Sequence, residues 1–510
     1  MKRIGIDVGG TNTDAVLVED DAIAGAIKTP TTADVTAGIA AALKGILDAT
    51  GADPASVDAV MIGTTHFTNA VAQRKGLTRV AAVRICLPAS ASLEPFIDWP
   101  ADLRDEVNGA IHMLEGGHEV DGRPIVPFDE DGMRRAARDI RARGIASVGI
   151  TSVFSPLTAE FEERAGDILR EECPDVAVTL SHALGRIGLL ERENATLLNV
   201  CLHDLARTTI DAFTRAIADS GLDAQLYITQ NDGTVMLAEV AAAYPVFSFA
   251  SGPTNSMRGA AYLSRRSDAI VVDVGGTTTD IGMLRNGFPR EANNVVEIGG
   301  VRTLFRMPDL MSLALGGGTL VGREPVTIGP ESTGYELMTR GLVFGGDALT
   351  CTDLAVARGL IDLGDGDAVG DLAPALLDAA FAHIHATIAA AIDHMKTEAG
   401  EITVIAVGGG AFLVPPAMDG VAEVIRVPHG AVANAVGAAI AQVSGEVDRI
   451  FQDLSRDDAI DEARRIAEQR AIDAGAEGAS LELVEVEDLP LAYLPGNSLR
   501  VRVRVVGDIA

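Results

Sequence analysis

Aromatic side chains are scarce in this 510-residue sequence, at 4%, and charged residues reach only 22%, whereas hydrophobic residues make up 47% and glycine occurs 54 times. That balance excludes a disordered or fibrous chain and fits a packed α/β protein. Its length exceeds one ordinary domain, so two or more lobes with a cleft between them are expected. Positive charge is also in deficit. Lys and Arg number 41 against 72 Asp and Glu, for a net charge of −31, which repels nucleic-acid backbones and anionic lipid headgroups. Nucleic acid and membrane are therefore not expected partners. ATP is not excluded, because backbone amides and Mg²⁺ can neutralise phosphates locally.

Cysteines number four, at Cys86, Cys173, Cys201 and Cys351, and no CxxC pair occurs. Neither a disulfide framework nor a zinc or iron–sulfur site is suggested, and the thiols are expected to be small buried hydrophobes. His383 and His385 fall two apart on an expected helix and so point to different faces, while His394 and His429 lack ligand-spaced neighbours. The opening MKRIGIDVGG has no apolar leader, and no uninterrupted 18-residue apolar run is seen, so a cytoplasmic location is expected. The Walker pattern GxxxxGK[ST] and the dinucleotide pattern GxGxxG are both missing.

What is present is a repeat. DVGGTNTD at Asp7–Asp14 returns as DVGGTTTD at Asp273–Asp280. Both copies are flanked by alternating apolar runs, so each joins strand to strand, unlike a Walker or Rossmann loop. Gly9, Gly10, Gly275 and Gly276 admit positive φ and close approach of a ligand. Thr11, Asn12 and Thr13, with Thr277, Thr278 and Thr279, add donors beside exposed backbone N–H groups, making an anion nest. Asp7 and Asp273 are candidate Mg²⁺ ligands, and Asp14 and Asp280 begin the return strands. One copy alone reads equally well as a Gly-rich hairpin turn. Two copies fit duplicated lobes that clasp one polyphosphate. A third element, Gly408-Gly409-Gly410 after an apolar strand, suits the approach of a base or ribose, although a plain strand-to-helix turn looks the same.

Elsewhere strands and helices alternate, as in sheets covered by helices. A helix is expected from about Thr32 to Gly51, a strand–turn–helix over VDAVMIGTTHFTNAVAQRKG, a long helical crossing over residues 187–221, a small-residue helix over VANAVGAAIAQVSG, and an acid-rich helix at Asp457–Ala474. The expected domains are 1–185, a first lobe with the first loop; 186–445, a second lobe with the second loop and the Gly triplet; and 446–510, a small α+β extension. Thr64, Thr65, His66 and Asn69, with Arg192, Asn194 and Asn199, are candidates for contacting a substrate. As structural alternatives, the Thr and Asn residues read as helix caps and the Arg as a solvated helix charge.

Two phosphate loops on hairpins plus a late strand-Gly-Gly-Gly resemble the actin, Hsp70 and sugar-kinase superfamily. More narrowly, the chain resembles the hydantoinase A/5-oxoprolinase family through DVGGTNTD, GTTHFTNAVAQRKG, ERENATLLNV, SGPTNSMRGA, DVGGTTTDIG and PDLMSLALGGGT, in family order over residues 1–445. It departs from longer members at Met311, where they usually carry His, and in GPESTGYELMTRG and VGGGAFLVP, and it is similar to a short, divergent branch. The resemblance implies two RNase H-like lobes that close over ATP and Mg²⁺. It also implies ATP-dependent opening of a cyclic amide such as a hydantoin or oxoproline-type lactam, in which Asp7 and Asp273 organise the metal, Asp14 or Asp280 orients an oxygen nucleophile, and a second subunit takes part. A small-molecule kinase, an ATP-dependent carboxylase subunit and a nucleotide-gated binding protein remain open alternatives, as does a homo-oligomer.

Overall fold

The computed structural model describes residues 1–9, 12–31, 35–185, 187–292, 296–305, 307–492 and 496–510. The Gly10 and Thr11 assignments lie outside the described residues. A nine-stranded sheet forms the first lobe, in the order Glu482–Pro490, Leu499–Gly507, Val443–Phe451, Val235–Leu237, Gln225–Thr229, Ala59–Thr64, Lys2–Val8, Asn12–Glu19, Ala22–Pro30. Lys2–Val8, Ala59–Thr64 and Gln225–Thr229 run parallel. They are apolar along nearly their whole length because helices cover both faces. Ile39, Leu43 and Ile46 of helix Val35–Thr50 and Phe213 of helix Leu189–Asp219 pack on Ile4, Ile6 and Ile62. On the other face helix Ala433–Ala439 approaches so closely that a Cβ at Gly5 would lie 2.2 Å from the Ala435 carbonyl oxygen.

A separate parallel sheet, Asn108–Glu115, Val80–Leu87, Ser147–Ser152, Ala177–Leu180, is covered on one side by helices Glu130–Ala142 and Glu160–Glu172. The 31-residue helix Leu189–Asp219 covers its other side and runs on to the first sheet. The second lobe is built on Phe288–Pro289, Thr279–Arg285, Ala269–Val274, Ile402–Val407 and Val421–Arg426, with Leu310–Leu313 paired to Thr279–Arg285. Helix Pro374–Met395 buries Leu377, Phe381, Ile384 and Ile388 in its core. An 18-residue window of this 22-residue helix has a mean hydropathy of 1.5 and is 39% buried, so by length and composition alone the helix is long and apolar enough to cross a membrane, contrary to the sequence expectation. Alanine raises the average although His383, His385 and Asp393 interrupt the run.

The two lobes repeat one plan. An antiparallel hairpin, Lys2–Val8 with Asn12–Glu19, is flanked by the parallel strand Ala59–Thr64; in the second lobe Ala269–Val274 and Thr279–Arg285 are flanked by the parallel strand Ile402–Val407. This is the two-lobed α/β architecture expected from the repeated octapeptide.

Domain limits follow the sheets, not the sequence divisions. Gln225–Thr229 and Val235–Leu237, expected in the second lobe, pair into the first sheet. The segment 446–510 is α+β as expected, yet it does not stand apart: Val443–Phe451, Leu499–Gly507 and Glu482–Pro490 extend the first sheet, and helix Arg456–Asp473 buries Ala459, Ala463 and Ala467 against them. The small-residue helix ends at Ala439, because Val443 already belongs to a strand. Helices Ser251–Ser264 and Ala433–Ala439 cross between the lobes. Glycines make the crossing possible: a Cβ on Gly259 would lie 1.8 Å from the Ala433 carbonyl oxygen, and one on Gly437 would lie 1.9 Å from that of Asn255.

Candidate functional site

Each octapeptide closes with the same backbone bond. Gly9 N–H donates to the Asn12 carbonyl (3.0 Å) and Gly275 N–H to that of Thr278 (2.8 Å). Strand register then sets Asp7 directly opposite Asp14, and Asp273 opposite Asp280. Like charges at facing positions destabilise a sheet, so both hairpins carry a cost that packing does not explain. Among Gly9, Gly275 and Gly276 none takes a left-handed φ, contrary to expectation. Their use is close approach. Gly316 lies so near the second loop that a Cβ would be 2.7 Å from Gly276 and Thr277 backbone atoms, and Gly317 and Gly318 N–H groups donate to the Gly275 and Gly276 carbonyls (3.0 and 2.7 Å).

The hydroxyls divide into two sets. Thr13 and Thr279 are fully buried, with Thr279 Oγ1 donating to the Leu315 carbonyl (2.6 Å) and Thr13 Oγ1 beside Thr31 Oγ1 (3.3 Å), so they hold the loops in shape. Thr277 and Thr278 are exposed, and Asn12 is half-buried, at the loop tips. Gly410 N–H donates to the Val274 carbonyl (2.8 Å), and Gly408, at φ +85°, leaves no room for a Cβ: Asp273 Oδ1 and the Val274 carbonyl oxygen would each be 2.3 Å away. Gly409 is exposed with open space above it. The Gly triplet therefore lies against the second loop.

The carboxylates of the two lobes act on one another. Burial, then Asp14, pushes the Asp7 carboxyl up to about 7; Asp273 adds to this, and a hydrogen bond from Asn434 (2.8 Å to Oδ2) opposes it. Burial likewise raises Asp273 to about 6, with Ser256 opposing by a hydrogen bond, Asp280 and Asp14 adding, and Lys28 subtracting. Asp14 and Asp280 are raised by burial as well. Lys28 Nζ sits 2.6 and 2.7 Å from the two Asp14 oxygens. At the matching place beside Asp280 stands Ser312, which donates to Oδ1. The carboxylate of one hairpin is thus neutralised by a cation and that of the other only by a hydroxyl.

Four carboxylates facing one lysine leave surplus negative charge, and Asp7 Oδ1 is buried without a hydrogen-bond partner. Both features fit a divalent cation held by one or two carboxylates and completed by phosphate oxygens and water. Among the described residues no group of three or more His, Cys, Asp or Glu forms an all-protein cage, and a wide groove of 970 Å³ between helices Val35–Thr50 and Leu189–Asp219 is lined by none of these loops.

The substrate candidates separate. Thr64, Thr65 and His66 follow the strand paired with Lys2–Val8, at the place that Gly408–Gly410 takes in the second lobe. Thr64 is buried and its Oγ1 accepts from His66 N–H (3.1 Å); Thr65 Oγ1 accepts from the exposed Asn69 (3.2 Å). The half-buried His66 ring, its pKa lowered by burial, makes no hydrogen bond among the described residues. Arg192, Asn194 and Asn199 are 0–2% exposed and turn inward. Arg192 donates to Ser181 Oγ (2.9 Å) and to the Ile187 and Ser152 carbonyls (2.8 and 2.5 Å), Asn194 accepts from Trp99 (2.7 Å), and Asn199 donates to Thr179 (3.1 Å). The donors of all three are committed to neighbouring elements, whereas Asn199 Oδ1 is buried without a hydrogen-bond partner. Lys28, Asn434, Ser256, Ser312 and Gly316–Gly318 were not singled out as site residues by sequence reasoning; only the last carried a signal, a second Gly triplet after a strand.

Residues 3–173 match the family model described as hydantoinase/oxoprolinase N-terminal region, and residues 192–365 match that described as hydantoinase/oxoprolinase. The chain belongs to the hydantoinase/oxoprolinase family. Curated relatives include the caprolactamase subunit alpha of Pseudomonas jessenii, 27% identical over 72% of this chain and 56% of the relative, and the acetophenone carboxylase gamma subunit of Aromatoleum aromaticum, 26% identical over 71% and 54%. The chain spans about half the length of the curated relatives it matches. A solved ATP-dependent caprolactamase from Pseudomonas jessenii superposes with a TM-score of 0.76 at 19% identity, covering 100% of this chain and 88% of that one. This hydantoinase/oxoprolinase member therefore shares its fold.

Proposed function

We propose that the chain is an ATP-using enzyme, or the ATP-using subunit of one, that activates the carbonyl oxygen of a cyclic amide by phosphorylation so that the ring can be opened. The observation that carries this reading is the convergence of two hairpin turns of nearly the same sequence, each with facing carboxylates, on one charged cleft. Amide resonance makes the ring C–N bond stiff and the carbonyl carbon unreactive. Transfer of the γ-phosphoryl group to the carbonyl oxygen removes that resonance and releases ADP; water then adds at carbon and the ring nitrogen leaves as the protonated amine or amide, giving an acyl phosphate, which a second water hydrolyses to the ring-opened acid and phosphate. Such transfer is mainly positioning and charge neutralisation. Asp7 and Asp273 would hold Mg²⁺, which neutralises phosphate charge when bound. Exposed Thr277 and Thr278, with the loop amides, would cradle phosphate oxygens, and Gly409 would admit the nucleoside. Lys28 compensates the charge of Asp14, which is then placed to orient an incoming oxygen. The relatives named as subunits support a second chain as partner.

The test is an ATP-hydrolysis screen over hydantoins, lactams and linear amides, with ring opening followed by mass spectrometry. Phosphate release that depends on a lactam or hydantoin is the expected result; a stable phosphate ester without ring opening would make the protein a kinase. The acetophenone carboxylase relative supports a second reading, phosphorylation of a ketone enolate for carboxylation. Bicarbonate-dependent consumption of a ketone would decide for it.

A further inference from the structure

A cavity of 390 Å³ opens on the same edge of the first sheet as Asp7, within the size range of small-molecule sites. Asp7, Gly63 and Thr229 lie side by side on three parallel strands. Gln230, where the cavity begins, is therefore roughly 10 Å from Asp7 at ~4.8 Å per strand. Three parts of the chain meet there: Leu157 and Leu184 beside the four-stranded sheet, Met236, Val240 and Phe247 from the first lobe, and Phe305, which follows the small hairpin of residues 296–303.

The charged lining is largely occupied with itself. Asp448 takes both Arg500 nitrogens (2.7 and 2.5 Å), Asp232 accepts from Arg504 (3.2 Å), and Arg470 donates to the Glu446 carbonyl (2.6 Å). Arg449, which is exposed, leans over the Phe451 ring at 5.9 Å. His182 is different. Its Nδ1 is 2.8 Å from Glu162, a fully buried carboxylate that also accepts from Ser152 N–H (2.7 Å), Ser181 Oγ (2.5 Å) and the His182 N–H (2.9 Å). Glu162 can only accept, so the contact places a proton on Nδ1, and in that tautomer Nε2 is an acceptor. Nε2 has no hydrogen-bond partner among the described residues, and the ring, 24% exposed, lines the cavity.

We propose that this cavity binds the ring to be activated, an uncharged cyclic amide whose N–H donates to His182 Nε2 while its methylenes lie on the apolar wall. A neutral ligand fits the apolar wall of Leu157, Leu184, Met236 and Phe247, and a single-donor ligand fits because one acceptor is left over. The choice of ring rests on the lactam reading above; the place and the recognising atom are added here. Glu162 is a positioning residue, acting through the imidazole.

The experiment uses ε-caprolactam as probe, observed by saturation-transfer NMR on the full chain without nucleotide, beside lactam-stimulated ATP hydrolysis on the same samples. Wild-type protein is expected to bind the probe. Val240→Trp, which fills the cavity mouth from a 37% exposed position, and His182→Asn are each expected to weaken binding about tenfold, the cost of one lost hydrogen bond or its equivalent in displaced contact, with unchanged Tm. Asn keeps an N–H at the place of Nδ1 for Glu162 and withdraws the acceptor from the cavity; His182→Gln returns an oxygen near the place of Nε2 and should regain part of the affinity. Unchanged affinity in Val240→Trp and His182→Asn, or no affinity in wild type, overturns the proposal. The second readout separates the failures. Lactam-stimulated ATP hydrolysis with unchanged KM in both variants would leave the function standing and remove the cavity; probe binding lost in both variants, with no stimulation in wild type, would do the reverse.

Discussion

Burial holds a proton on the folded Asp7 carboxyl up to about pH 7, whereas in the unfolded chain the same group ionises near 3.8. Between those values the folded state binds more protons, so stability falls as pH rises through the window, and above it the ionised carboxylate costs on the order of 4 kcal/mol. Asp7→Asn should therefore raise Tm at pH 8, with a gain that shrinks toward pH 4, while abolishing Mg²⁺-dependent ATP turnover. Thermal unfolding at several pH values, read beside ATPase rates, checks both halves. The Gly triplet supplies a matched pair. Gly408→Ala forces a Cβ into Asp273 at a left-handed φ and should cost about 1–3 kcal/mol and disturb nucleotide binding. Gly409→Ala meets nothing within 4 Å and should leave the stability within about 0.5 kcal/mol of wild type while raising the KM for ATP, because only a bound nucleoside would feel the methyl group.

Among the elements, the two crossing helices matter most to the site. Their glycines let the backbones touch, and the same helices carry Asn434 to Asp7 and Ser256 to Asp273. Gly437→Ala, with its Cβ 1.9 Å from the Asn255 carbonyl oxygen, should destabilise by about 1–3 kcal/mol and weaken nucleotide binding at both hairpins together, measurable by calorimetry. The hairpins were legible in the sequence because their function is local: eight residues and alternating flanks fix turn, strands and facing carboxylates. Lys28 was not, since only the register of a third strand sets it against Asp14, and nothing near Lys28 in sequence marks it. Asn434 and Ser256 look like ordinary polar residues of small-residue helices until the crossing aims them. Arg192, Asn194 and Asn199 show the opposite case: on a long helix they read as polar and open to a ligand or to solvent, and only the packing shows that all three are buried with their donors committed to neighbouring elements.

At the scale of the molecule, the two-lobed plan followed from the repeat, and the domain limits did not, because strands far apart in sequence complete the first sheet. The C-terminal strands belong to that sheet's fabric, and Arg502 on the strand Leu499–Gly507 reaches Glu291 beside the second lobe (2.5 Å). Removal of residues 446–510 should therefore leave the strand at Val443 without its partner and uncover the cluster of Met61, Tyr227 and Val235 that Ala471, Ala476 and Ile509 close, giving insoluble protein or a loss of cooperative unfolding by calorimetry. The account rests most heavily on the two hairpins acting as jaws on one polyphosphate. A crystal structure with Mg²⁺ and a non-hydrolysable ATP analogue tests this most directly. The account predicts phosphate oxygens contacted by the loops at 8–13 and 274–279 in the same molecule, with the nucleoside beside Gly409; phosphates held by one loop alone, or bound away from both, would contradict it.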